Sequence, residues 1–423
     1  MAEQNKDGQS RSEMGRPIAI NHLETDSLPD DRAILWKNRR KELVTENSLL
    51  NKVKQSFDFS MEDMDKTLVF LLVFLVIFGV VMVTSTASYG IIRRGQESII
   101  GYVLRQISFA LIGFITMFFM AAFDYHRLNW KLIFGFGPVV LLLNILPRLL
   151  GDQINGAYRW LQIGPINFQP SELAKYYVVI LAACLLAMPL KFTKRAKFKR
   201  YLLLLGAVIL FGFIIVVPQS NLSTGAIMIM ASFVVIVVSN IPLLWNVVPI
   251  SMGIAAGVLM VLKTGYRLER VMGFLNPFSD PTGNTLQVVQ SLYALSMGGL
   301  LGRGLGNSRF KAFWLPFAEN DFIFAIICEE LGLIGGLTIL GALGFLVFTG
   351  FKIARQAMDL YGRLLAVGII SVIGIQAAIN MAVVMGAFPV TGVPLPFISA
   401  GGTSLVVNLA AMGILLNISK QKR

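Results

Sequence analysis

A few polar side chains in an otherwise apolar chain have the types and spacing for chemistry. Asp321 stands where a polar loop, Leu315–Asn320, turns into an apolar run. A carboxylate there is either a favourable charge at a helix N-terminus or a general base at a cavity mouth. Glu319 precedes it by two residues. Arg267 and Arg270 are three apart, so on a helix they share a face. Such a pair grips a pyrophosphate or meets lipid headgroups. Tyr158, Arg159, Trp160 and Gln162 form a second polar cluster, in which the aromatic rings serve as a sugar-stacking platform or as interfacial anchors. Pro170-Ser171-Glu172 reads as a helix start, with Lys175 about one turn further in. A lysine in that setting needs a partner or water, and serves either function or a structural ion pair. Glu329 and Glu330 lie roughly 12–14 Å beyond Asp321 along a helix, too deep to share its proton transfer. With Glu172 they are expected to form a buried polar network that takes in Lys175. With only His22 and His126, acid–base work falls to carboxylates, Lys or Tyr.

The elements that must position these groups are membrane spans. The chain has 423 residues, 55% hydrophobic and 14% charged, too little polar surface to coat a soluble particle of this size. A span needs roughly 20 apolar residues. Candidate runs lie at 67–87, 103–123, 131–150, 171–190, 201–217, 222–240, 244–262, 321–350, 364–386 and 402–418. The expected fold is an all-α polytopic membrane protein of about ten helices. The run at 321–350 is long enough to tilt or to leave the bilayer.

Residues 1–66 read as a disordered cytoplasmic tail, 67–418 as the transmembrane domain and 419–423 as a short cytoplasmic C-terminal tail. The net charge of +13 is assigned to positive-inside loops and not to nucleic acid. The tail, Lys191–Arg200, Lys352–Arg363 and the C-terminus are basic, and ten spans place all of them in the cytoplasm. Arg93 and Arg94 go against this pattern. The segments left outside are Gly151–Gln169, the long loop 263–320 between spans seven and eight, and Ala387–Gly401.

The glycines of Gly298–Ser308 permit tight turns but make no phosphate loop, lacking its lysine and strand. In Phe388–Ser404 three prolines and paired glycines stop a helix, and at membrane depth such backbone lines a cavity or is plugged by protein. Cys184 and Cys328 fall in apolar runs and read as small buried hydrophobes.

Together these segments resemble the SEDS family (shape, elongation, division and sporulation). The resemblance covers about residues 67–418. It rests on Arg159-Trp-Leu-Gln-Ile-Gly164, Gln169-Pro-Ser-Glu-Leu-Ala-Lys175, Leu305-Gly-Asn-Ser308, Asn320-Asp-Phe-Ile-Phe-Ala325, Glu329-Glu-Leu-Gly332 and Pro389-Val-Thr-Gly-Val-Pro-Leu-Pro-Phe-Ile-Ser399. The Leu-Gly-Asn-Ser run and the long tail are closer to the FtsW/SpoVE branch than to RodA.

The resemblance implies a peptidoglycan glycosyltransferase at the outer face of the cytoplasmic membrane. It would polymerise lipid II into glycan strands during division or sporulation, with a class B penicillin-binding protein and other divisome proteins as partners. The family's essential aspartate falls on Asp321. Arg159, Trp160, Gln162, Lys175, Arg267, Arg270, Glu319 and Ser399 are assigned to substrate binding. No metal ligands or protein-bound cofactor are expected, and a divalent cation (Mg or Mn) would be bridged by the pyrophosphate. Two departures stand out: Glu319 replaces the family's histidine, and Asn221 replaces an acidic residue. The first places a negative charge near Asp321, which raises its pKa. A flippase for lipid-linked precursors and a non-catalytic divisome scaffold are the alternative readings.

Overall fold

The computed structural model describes residues 63–421, apart from 95–97, 154–156, 165, 189–193, 240, 264, 281–282, 284 and 317; the side chains of 88–94, Ile166, Tyr266, Arg267 and Phe313 are also outside the description. The tail expected at 1–66 therefore lies almost wholly outside the described residues.

The elements are helices, in the order α1 (Lys66–Arg94), α2 (Ile99–Ala122), α3 (Trp130–Leu150), α4 (Pro170–Ala187), α5 (Lys194–Val216), α6 (Leu222–Val238), α7 (Val247–Lys263), α8 (Gly265–Leu275), α9 (Leu286–Gly298), α10 (Phe310–Phe313), α11 (Ile323–Gln356), α12 (Leu360–Val384) and α13 (Gly402–Lys420). Among the described residues nine helices are long and apolar enough to cross a membrane, and α6 is a shorter apolar helix. Each run expected as a span contains a helix among the described residues. The chain is a multi-pass membrane protein.

Local chemistry sets the helix starts. Side chains of Ser98, Asn129, Asn221 and Asp359 accept a backbone N–H at the N-termini of α2, α3, α6 and α12. Pro170 opens α4, and Glu172 lies in its first turn.

The helices differ in what surrounds them. The α4 and α12 spans are 78% and 72% buried inside the protein, against 6% for the span Leu243–Lys263. α4 and α12 therefore form the centre, while α7 stands at the rim with an apolar surface suited to lipid. α2 and α13 pack so closely that a Cβ on Gly413 would lie 2.2 Å from the Met117 carbonyl oxygen. The start of α1 lies beside the end of α13, where the Asp65 N–H donates to the Ser419 hydroxyl at 3.2 Å.

Four features differ from the sequence reading. The long run is not one continuous helix: α11 has 34 residues but breaks at Gly332 (φ 69°, ψ −170°), so two helices meet end to end. α13 runs to Lys420, beyond the expected boundary at 418. The loop 263–320 is not wholly irregular, for it carries α8, α9 and α10. The segment 151–169 contains an antiparallel hairpin, β1 (Leu161–Ile163) with β2 (Ile166–Phe168), in which Leu161 pairs with Phe168. The turn at Gly164 has φ +60°, which favours glycine. Residues 386–401 form no helix, as the prolines predict.

Candidate active site

A cavity of about 620 Å³ opens at one end of the bundle, walled by α2, the hairpin, α8, the 319–321 loop, the 390–394 segment and the start of α13. It is the end opposite the start of α1, because Gly401–Ser404 at the N-terminus of α13 line it while α13's C-terminus meets the start of α1. Asp321, Glu319, Arg159, Trp160 and Arg270 all line this one space. In sequence they are spread over 163 positions, Arg159 to Asp321.

Asp321 is fixed mainly through its backbone. Its carbonyl accepts the amide of Asn380 in α12 at 2.7 Å, and the same amide also donates to the Val393 carbonyl at 2.7 Å. The Ala400 N–H donates to the Glu319 carbonyl at 3.0 Å. One α12 side chain thus ties the Asp321 loop to the proline-rich segment. That segment passes right against the carboxylate, for a Cβ on Gly392 (φ +68°) would lie 3.3 Å from Asp321 Oδ2.

The two arginines are oriented by backbone carbonyls. Arg270 Nη1 donates to Val390 at 2.9 Å, and Arg159 Nη2 donates to Ser220 at 2.7 Å. Ser220 has φ +52°. The Ser223 hydroxyl donates to the Thr391 carbonyl at 2.9 Å, so α6 also braces this wall.

Burial pushes the Asp321 carboxyl up from the ordinary aspartate value of 3.8 to about 6. The guanidinium groups of Arg159 and Arg270 oppose that rise, and Glu319 adds to it. Desolvation is the largest cause and Glu319 the least, so the extra carboxylate contributes less than its proximity in sequence suggests. At about 6 the carboxyl is mostly ionised at neutral pH yet close enough to it to exchange a proton.

Several expected site residues are placed elsewhere. Lys175 is 0% exposed and does not line the cavity. Its Nζ donates to Glu172 Oε2 at 2.8 Å and to Gln376 Oε1 at 2.5 Å. The Gln376 amide in turn donates to the Pro394 carbonyl at 2.9 Å, so Lys175 braces the proline-rich wall from behind. Ser399 is buried and its hydroxyl accepts the Leu395 N–H at 2.8 Å, a turn-forming role within the segment. Gln162 is exposed on β1 and lies off the cavity, although Asn167 across the hairpin lines it. The Arg267 side chain lies outside the described residues. Nor is the polar network single. Glu172 belongs with Lys175, whereas Glu329 and Glu330 engage Ser308, Lys311 and Ser85.

The α2 wall was not foreseen. Tyr102, Arg105, Gln106 and Phe109 line the cavity with Thr403 and Ser404 of α13. Arg105 inside the apolar run 103–123 is the signal that pointed there, because a charge at membrane depth marks a site. Asn221 is the N-cap of α6, accepting the Thr224 N–H at 3.2 Å, and is not on the cavity wall. Cys184 and Cys328 are free and buried. Among the described residues no group of three or more His, Cys, Asp or Glu side chains has metal-site geometry.

Comparison with known proteins bears on what this cavity does. The FtsW/RodA/SpoVE family profile, described as cell cycle protein, matches residues 66–423. Stage V sporulation protein E of Bacillus subtilis is 40% identical over 361 residues, 85% of this chain and 98% of that protein. A probable peptidoglycan glycosyltransferase FtsW of Trichlorobacter lovleyi is 36% identical over 366 residues, 85% of this chain and 94% of that one. The crystal structure of Thermus thermophilus rod shape determining protein RodA superposes with a TM-score of 0.61 at 26% identity, over 86% of this chain and 98% of RodA. A chain of a peptidoglycan synthase complex, solved to describe coordination of polymerization and crosslinking, superposes with a TM-score of 0.66 at 28% identity, over 84% of this chain and 97% of that chain.

Proposed function

The chain belongs to the FtsW/RodA/SpoVE family of cell cycle proteins, and on that premise we propose that its cavity joins lipid-linked sugars, with Asp321 as general base. It is a peptidoglycan glycosyltransferase, the activity in the names of curated relatives at 35–36% identity over most of the chain. The substrate is lipid II, and the product is a glycan strand built in cell division or sporulation.

The observation that carries the reading is one carboxylate, raised to about 6, in a cavity it shares with Arg159 and Arg270. Asp321 takes the proton of the acceptor sugar's 4-hydroxyl. The freed oxygen attacks the anomeric carbon of the growing strand and forms the new glycosidic bond with inversion. The bond from that carbon to the phosphate oxygen breaks, and its electron pair leaves with the polyprenyl pyrophosphate. Negative charge builds on that leaving group, and fixed cations already in place stabilise it without reorganisation. Arg270 and Arg159 are held in the cavity by carbonyl contacts, and Arg105 adds a third cation on the α2 wall. Trp160 offers a face for sugar stacking. A divalent cation, Mg or Mn, would enter with the pyrophosphate oxygens as its main ligands.

Orientation follows from the basic residues. Lys194–Arg200 at the start of α5, Lys352 and Arg355 in the last turns of α11, Arg363 early in α12 and Lys420 at the end of α13 all lie toward the end opposite the cavity. The positive-inside rule makes that end cytoplasmic and the cavity extracytoplasmic. The neighbour from a peptidoglycan synthase complex supports a class B penicillin-binding protein as partner.

The test uses the full chain with such a partner and fluorescent lipid II, reading glycan length on a gel. Wild type is expected to give polymer and folded Asp321→Asn none. Polymer from both removes Asp321 from the mechanism.

A further inference from the structure

The mechanism above leaves unused the glycine run 298–308 and the pair Glu329–Glu330, and the structure brings these together at the break in α11. A helix interrupted at Gly332 strands backbone N–H and C=O groups, which within a membrane need partners from protein. The chain just after α9 supplies them. The N–H groups of Leu333 and Ile334 donate to the carbonyls of Gly299 and Leu300 at 2.9 and 3.3 Å. In return the N–H groups of Arg303 and Gly304 donate to the carbonyls of Glu329 and Glu330 at 3.0 and 2.9 Å. No side chain fits between the two backbones: a Cβ on Gly302 would lie 2.2 Å from the Glu330 carbonyl oxygen.

Side chains close the same junction. Lys311 Nζ donates to Glu330 Oε1 at 2.5 Å, with the two side chains 1% and 0% exposed. Ser85 of α1 lies against both, accepting from Lys311 Nζ at 2.9 Å and reaching the two Glu330 oxygens at 2.9 and 2.8 Å. Glu329 accepts the Arg309 N–H at 2.8 Å and the Ser308 hydroxyl. Lys311, Glu329 and Glu330 do not line the cavity.

Asp321 sits ten residues after Lys311 and nine before Glu330. The short helix from Ile323 to the break is a rod with Asp321 just off one end and Glu330 at the other, roughly 14 Å apart at 1.5 Å per residue. Lys311 bonded to Glu330 therefore closes residues 311–330 into a ring, and the ring carries the base. A buried ion pair contributes little net stability, since two apolar residues of similar shape often serve as well, and in some proteins such a pair instead fixes a geometry.

We propose that the Lys311–Glu330 pair, pinned by Ser85 and by the glycine clip at Gly332, is a positioning device that sets where the Asp321 carboxylate stands in the cavity. The proposal rests on Asp321 being the base. The pair acts on the reaction only through Asp321, so disturbing it slows turnover and leaves substrate affinity in place. A misplacement of about 1 Å costs on the order of 10²-fold in rate. A loosened ring also admits water to Asp321, whose elevation comes chiefly from burial, while Arg159, Arg270 and Glu319 still face it. The acid limb of the rate profile then moves down in pH.

The experiment measures lipid II polymerisation from pH 5 to 8 by the full chain, co-purified with a class B penicillin-binding protein. Lys311→Met, Glu330→Gln, the double variant and Asp321→Asn are compared, with the folded fraction followed by thermal unfolding. Each single variant is expected to lose roughly 10- to 100-fold in kcat, to keep KM within about twofold, and to show a lowered acid limb. The double variant leaves no unpaired buried charge but still lacks the bond that closes the ring, so it regains stability while staying slow with a lowered limb; rate and limb recovered along with stability would overturn the positioning role. A limb that stays in place, with kcat falling only as the folded fraction falls, overturns the positioning role. Activity in Asp321→Asn overturns the base assignment and the positioning role with it. Loss there, combined with unmoved limbs in the pair variants, overturns positioning alone.

Discussion

The most exposing consequence of the site is the pH dependence of its rate and the effect on it of Glu319→Gln. The Asp321 carboxyl stands at about 6 against the ordinary 3.8, a rise of about two units, or roughly 3 kcal/mol against the charged form at 1.36 kcal/mol per unit. The working form of a general base is the ionised one. Lowering the pH from 7 to 5 takes a group of pKa 6 from about 90% to about 10% ionised, whereas one at 3.8 stays above about 90%. The rate, kcat/KM, should therefore fall about tenfold between pH 7 and 5. Glu319 raises the Asp321 value but is the least of the causes, so its neutralisation should shift the limb down by less than about one unit. The assay is the initial rate of lipid II consumption at constant ionic strength, with enzyme returned to pH 7 to show that acid has not inactivated it. A wild-type limb near pH 4 would mean that the base is solvated and the reasoning from burial is wrong. A limb that moves up in Glu319→Gln would mean that the glutamate assists ionisation and does not oppose it.

Three further outcomes follow from named contacts. Because the folded-state value of Asp321 is raised, the native state holds the proton more tightly than the unfolded chain, and stability is lost as pH rises from 3.8 through 6. Asp321→Asn should accordingly unfold at a higher temperature than wild type at pH 7, by up to about 3 kcal/mol, and match it near pH 4; an unchanged melting curve at pH 7 would count against a buried carboxylate. Lys175→Met leaves Glu172 buried without its cation and should cost about 3–5 kcal/mol, most of it recovered in Lys175→Met with Glu172→Gln, as read by thermal unfolding in detergent. Arg105→Gln should lower kcat/KM on the order of tenfold, about 1.4 kcal/mol, without moving the acid limb, because Arg105 is not among the charges that act on Asp321.

Much of this molecule was legible in its sequence, for reasons local to each segment. Runs of about 20 apolar residues have one stable solution in lipid, a helix that satisfies its own backbone, so the spans could be read one by one. The prolines of 389–396 forbid a helix wherever they are placed, and Asp321 stands at a loop–helix junction in any fold that keeps the following span. Pairing is different, because it depends on which helices become neighbours. Lys175 reads equally well as a substrate contact or a structural ion. It became the latter because α12 brings Gln376, 201 residues away, against α4. Arg105 reads as an awkward charge in a span, and the packing of α2 on α13 turned it toward the cavity. The break at Gly332 carries no proline and falls in an apolar run. Only the backbone of 299–304, folded back onto it, supplies the hydrogen bonds that let a helix stop inside a membrane. Residue composition along the chain settles which segments lie in lipid and which residues carry charge. The tertiary structure decided which charges are sealed in pairs and which face the cavity, since a buried ion is tolerated only with its partner and the partner is a property of the packing.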